Sequence, residues 1–122
     1  MSENAKAKMS AITTHVLDIS RGRPAHGVPV FLELQTSASV WQLIGKGVTD
    51  EDGRRRDLLS SDFQLKPGNY RITFDTGVYF AAHKTQGFYP QVTIVFTVQD
   101  VAQHYHVPLL LSPFGYSTYR GS

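Results

Sequence analysis

The stretch His104, Tyr105, His106, Val107, Pro108, Leu109, Leu110 and Leu111 constrains the fold more than any other part of the chain. In an extended strand, residues two apart share a face. Tyr105, Val107, Leu109 and Leu111 then form a continuous apolar face suited to a core. His104, His106, Pro108 and Leu110 point the other way, so two imidazoles sit on the face turned from that core. A turn over 112–115 follows, and Ser117, Tyr119 and Gly121 share one face of a final strand. The last residue, Ser122, is expected to bring a carboxylate close to a tyrosine, an arginine and the histidine pair.

The same alternation recurs upstream. Over 12–19, Thr13, His15 and Leu17 share one face, and Thr14, Val16 and Asp18 the other. Over 28–36, Val28, Val30, Leu32 and Leu34 face inward, and 40–49 forms a further strand carrying Trp41. Asp52-Gly53 and Pro67-Gly68 are turn signals. Residues 54–59 read as a short edge strand, 68–74 and 91–98 as longer ones, and 76–84 as the single helix. About eight short strands with regular turns and one short helix specify an all-β fold, an antiparallel β-sandwich.

A chain of 122 residues is one domain. Residues 1–10 are polar and read as a flexible leader, leaving 11–122 as the single folded domain. The 41% hydrophobic and 18% charged fractions suit a packed globular protein. A net charge of +2 with scattered basic residues gives no stripe for nucleic acid. No apolar run approaches the ~20 residues of a membrane span. The absence of cysteine removes disulfides, thiolate nucleophiles and cysteine-based metal sites. With no secretory h-region in the leader, the expected location is the cytoplasm, or the peroxisome in a eukaryote, although no clear peroxisomal signal is present.

Several residues carry candidate chemistry. A lone strand histidine such as His15 is more often structural than catalytic. A His-x-His pair such as His104 and His106 fits three readings equally: half a metal site, an acid/base pair or plain surface. A zinc site would draw on His15, His104 and His106. Arg54 follows the Asp-Gly turn, and its bland reading is a solvated charge, as for Arg55 and Arg56. His26 and His83 lie outside any motif. There is no phosphate-binding glycine loop, nucleophile elbow or His-Glu-x-x-His segment.

Three blocks together resemble the 5-hydroxyisourate hydrolases of the transthyretin-related family. They are Thr13-Thr14-His15-Val16-Leu17-Asp18 with Gly22-Arg23-Pro24-Ala25, then Thr49-Asp50-Glu51-Asp52-Gly53-Arg54, then the C-terminal block ending Tyr119-Arg120-Gly121-Ser122. The terminal tetrapeptide is the most specific part, since the hormone carriers of the same family lack it. The resemblance implies a prealbumin-type sandwich of two four-stranded sheets. It implies opening of the 5-hydroxyisourate ring by water, with no cofactor and no metal. It also implies a catalytic set of His15, Arg54, His106 and Ser122, with His15, Arg54, His104, Tyr119, Arg120 and Gly121 holding the substrate. Arg120 is expected to hold the Ser122 carboxylate. Finally, it implies a homotetramer, a dimer of dimers with the site at the dimer–dimer interface. The rival reading is a carrier that binds an aromatic ligand in the same channel without turnover.

Overall fold

A computed structural model describes residues 10–122; apart from Ser10, the expected leader lies outside the described residues. Ser10 is buried, and its N–H donates to Arg56 O at 2.7 Å. The elements are β1 (Ile12–Asp18), β2 (Arg23–Pro24), β3 (Pro29–Ser37), β4 (Val40–Val48), β5 (Arg54–Arg55), β6 (Gly68–Phe74), α1 (Thr76–Ala82), β7 (Val92–Val98), β8 (Tyr105–Ser112) and β9 (Gly115–Thr118). One sheet runs β4-β3-β6-β7. The other runs β2-β1-β8-β9, with β5 also paired to β1, which makes it five-stranded. Among the described residues, no helix is long and apolar enough to cross a membrane.

The two-sheet sandwich with one helix matches the reading of the sequence, with two refinements. The fifth strand is the short β5. The central pair β1–β8 is parallel, whereas the other strand pairs are antiparallel. Hairpin turns force antiparallel neighbours, but β1 and β8 lie at opposite ends of the chain and no turn joins them.

Inward positions follow the alternation. Val30, Leu32, Tyr70, Ile72, Leu109 and Leu111 are at most 1% exposed, so the two sheets close over one apolar core. Burying each such side chain contributes about 1.5–3 kcal/mol. The expected strand over 54–59 shortens because Leu58 and Leu59 turn into this core. Gly45 admits them: a Cβ there would lie 2.0 Å from Leu58 O. The helix starts where Asp75 accepts the Val78 N–H. It stops before Lys84, whose φ of 54° is left-handed, two residues short of the expected end.

Candidate active site

Strand pairing on the outer face of the five-stranded sheet assembles the polar residues. In the β1–β8 ladder Thr13 lies opposite His106 and His15 opposite Pro108, so the two histidines are diagonal neighbours. His15 lies opposite Arg54 of β5 on its other side. Beyond β8, an isolated bridge pairs His106 with Gly121. Residues from three remote stretches thus share one sheet face.

The Asp-Gly turn seats Arg54. Asp50 Oδ1 accepts the N–H groups of Asp52 and Arg54, each at 2.9 Å. Burial pushes the Asp50 carboxyl up, but these hydrogen bonds and the charges of Arg56 and Arg54 outweigh it and hold the group below its ordinary value. Gly53 has φ +74°, and a Cβ there would lie 2.3 Å from Val16 O, so only glycine lets the turn close against β1. Val16 N–H then donates to Gly53 O at 2.7 Å. Adjacent strand residues alternate, so Arg55 leaves the site: it reaches Val48 O and pairs with Asp57 at 2.8 Å.

The resulting groove has a volume of about 290 Å³ and is lined by Thr13, Thr14, Arg54, Arg56, His104, His106 and Ser122. His15 borders it beside Arg54, whose charge it feels, and beside His106, which feels His15 in turn. Thr13 Oγ1 stands between the paired histidines, 3.1 Å from His104 Nε2 and 2.8 Å from His106 Nδ1. Their rings lie nearly parallel, 6.4 Å apart. Gly121 packs on the His106 imidazole so closely that a Cβ would meet its Cδ2 at 2.6 Å. This contact carries Ser122 into the groove.

The histidines are tuned toward the neutral form. Burial lowers the His106 pKa, and the nearby His104, Arg54 and His15 lower it further. Burial and the Arg54 charge lower that of His15, against an opposing backbone hydrogen bond to Asp52. Two neutral imidazoles beside a guanidinium can accept a proton from water and stabilise developing negative charge.

The structure brings together His15, Arg54, His104, His106, Gly121 and Ser122. It places Tyr119 and Arg120 elsewhere. The ladder breaks after Thr118, and exposed Tyr119 borders a separate hollow of about 260 Å³ beside Phe96, Tyr105 and Val107. Arg120 stacks over the Tyr105 ring at 4.5 Å and donates to Gln103 Oε1 at 2.7 Å, rather than holding Ser122. Thr13 and Arg56 line the groove unforeseen. The face shared by Thr13 and His15 was visible in the sequence, but the register that puts Thr13 against His106 was not. Among the described residues no three metal-ligating side chains converge, so His15, His104 and His106 do not form a zinc triad.

Groove size does not single out this site, since a hollow of about 540 Å³ lies beside Arg21, His26 and His83. What marks it is a small all-β sandwich with an imidazole–guanidinium groove on a sheet face. Residues 12–121 match the sequence model of the HIUase/Transthyretin family, and the chain belongs to that family. It is 50% identical over 113 residues to a probable 5-hydroxyisourate hydrolase of Caenorhabditis elegans, covering 93% of this chain and 82% of the relative. Among solved structures it resembles the 5-hydroxyisourate hydrolase of Klebsiella pneumoniae, with TM-score 0.78, 36% identity and coverage of 91% and 98% of the two chains. It also resembles sea bream transthyretin in complex with thyroxine, with TM-score 0.85, 32% identity and coverage of 92% and 95%. The backbone is therefore shared by hydrolase and carrier, and the side chains of the groove must separate them.

Proposed function

We propose that this chain hydrolyses 5-hydroxyisourate to 2-oxo-4-hydroxy-4-carboxy-5-ureidoimidazoline, a step in urate degradation. The observation that carries the reading is the convergence of His15, Arg54 and His106 with Ser122 on one sheet face. A groove lined by two arginines, two histidines and two threonines suits a planar, polar ring better than an apolar one. The relatives named for the hydrolase support the same conclusion.

In the reaction, His106, assisted by His15, takes a proton from water as the water oxygen bonds to the ring carbonyl carbon. Arg54 supplies planar, paired donors to the developing oxyanion and the polar ring edge. The ring carbon–nitrogen bond then breaks, and the proton held by the imidazole passes to the leaving nitrogen. Ser122 closes the groove and positions the substrate. No step needs a covalent intermediate.

The site is completed by assembly into a homotetramer. The groove opens on a sheet face that also carries Leu17 and Leu110, paired and only half-buried on the side turned from the core. Among the described residues, strands β7 and β9 end their sheets as unpaired edges, which favours pairing between copies.

The test generates 5-hydroxyisourate from urate with uricase and follows its ultraviolet decay. Added protein should speed the decay; decay at the spontaneous rate would refute the hydrolase and leave the carrier. Light scattering during chromatography should give four chains per particle, and a monomeric active species would refute the assembly.

A further inference from the structure

We propose that the Thr13 hydroxyl fixes the tautomer of His106 and so decides which nitrogen is free to take the proton of water. This rests on the hydrolase reading of the groove. Thr13 is a positioning residue, acting on the reaction through His106.

A hydroxyl has one proton to donate and two lone pairs. Thr13 Oγ1 has two side-chain partners, His104 Nε2 at 3.1 Å and His106 Nδ1 at 2.8 Å. If both nitrogens were bare, the single proton would serve only one of them. If both carried protons, the hydroxyl proton would need a third acceptor, and none is found among the described side-chain contacts. Two arrangements balance. In one, His106 Nδ1–H donates to Thr13, whose O–H donates to His104 Nε2. In the other, both bonds run in reverse.

Thr13 meets unlike nitrogens on the two rings, so each arrangement puts both histidines in the same tautomer. The first makes both rings Nδ1–H and leaves His106 Nε2 as a bare lone pair. The second makes both Nε2–H and removes the base. The bare Nε2 adjoins Cδ2, the ring atom over which Gly121 closes, so the productive arrangement presents its lone pair beside Gly121 and Ser122. The geometry of the hydroxyl is rigid. Thr13 is 3% exposed, its Cα is paired with that of His106, and a β-branched side chain has restricted χ1. His104 is exposed and completes its bonding with water in either form, so it follows His106 rather than opposing it.

Nitrogen-15 NMR of the histidine rings tests the assignment without substrate, at a pH where both rings are neutral. Both His104 and His106 should show a protonated Nδ1 and a bare Nε2. His106 carrying its proton on Nε2 would overturn the proposal whatever the protein hydrolyses. Thr13→Val keeps the shape and removes the hydroxyl. It should release His106 toward the Nε2–H form and lower kcat about tenfold or more, with KM within about twofold. Thr13→Ser should restore both the tautomer and kcat. A folded Thr13→Val variant with unchanged tautomer and kcat would overturn the role. If the valine variant fails to fold, the wild-type spectrum and the serine variant still decide. Failure of the wild-type protein to speed 5-hydroxyisourate decay would sink the activity while leaving the tautomer measurement to stand by itself.

Discussion

The two outer sheet faces are alike in composition and opposite in bonding. On the four-stranded sheet, Arg71 Nε and Nη2 donate to the two Glu33 oxygens at 2.6 and 3.3 Å. The same guanidinium lies 4.4 Å from the Trp41 ring centre, and Thr73 bonds Thr93. A hollow of about 380 Å³ lies there too, yet the charges beside it already have partners. On the five-stranded sheet, the Arg54 side chain enters no ion pair among the described residues. Its neighbours there are imidazoles held neutral. A face whose donors are satisfied internally is structural. A face whose donors are fixed in place but unspent is built for a ligand.

That contrast is broken most directly at His106. His106→Ala should lower kcat roughly a hundredfold to ten-thousandfold while the fold and assembly persist, because it removes a proton acceptor and little packing. Near-normal turnover in the decay assay would contradict its role. Arg54→Gln should cost about a hundredfold in kcat/KM, the order expected for one lost oxyanion partner. It should also shift the pH profile. The Arg54 charge lowers the pKa of both His15 and His106, so its loss raises both, and the acid limb of activity should move to higher pH. The sign for stability follows from the same shifts. In the unfolded chain a histidine binds its proton near ~6.5, and in the native protein His15 and His106 bind theirs at lower pH. Stability is therefore present above that value and lost as pH falls through it. Thermal denaturation at a series of pH values should show this loss weakened in Arg54→Gln.

Gly121→Ala gives a smaller effect of a different kind. Its Cβ would press on His106 Cδ2 at 2.6 Å and on Pro108 Cγ at 3.3 Å, so the imidazole or the chain end must move. Activity should fall roughly tenfold to a hundredfold, since displacements of this size spoil alignment. The melting temperature should change little, because Gly121 lies outside the core. Equal losses of activity and stability would show that the bridge is structural.

Alternation alone made most of the fold legible. It assigned the inward faces of β3 and β8, sorted the residues of β1 into two faces, and placed His104 and His106 on the face turned from the core. The parallel register of β1 on β8 was not legible, because it depends on pairing between the two ends of the chain. That register is what brings Thr13 to His106, and a slip of one residue would have turned Thr13 away. Tyr119 shows the opposite failure. Parity along an unbroken last strand joined Tyr119 to Gly121, but β9 ends at Thr118 and only Gly121 rejoins the sheet, on His106. Arg54 to Leu59 failed for a third reason: two leucines that suit a strand are drawn into the core instead. The family resemblance supplied what periodicity lacked, namely that three remote motifs belong to one site.

The smallest expected effect is the sharpest test of the division between the faces. Glu33→Gln removes the carboxylate that binds Arg71 through two hydrogen bonds. If the four-stranded sheet serves only the scaffold, kcat and KM should stay within about twofold, since the groove lies on the opposite face of the sandwich. The freed Arg71 keeps Trp41 as a neighbour and gains access to water, so the penalty of an unpaired buried charge does not arise. A marked fall in kcat at unchanged melting temperature would mean that the two faces are coupled through the core. The satisfied ion pair would then belong to the catalytic machinery, and the contrast between the sheets would fail at the place where it predicts nothing should happen.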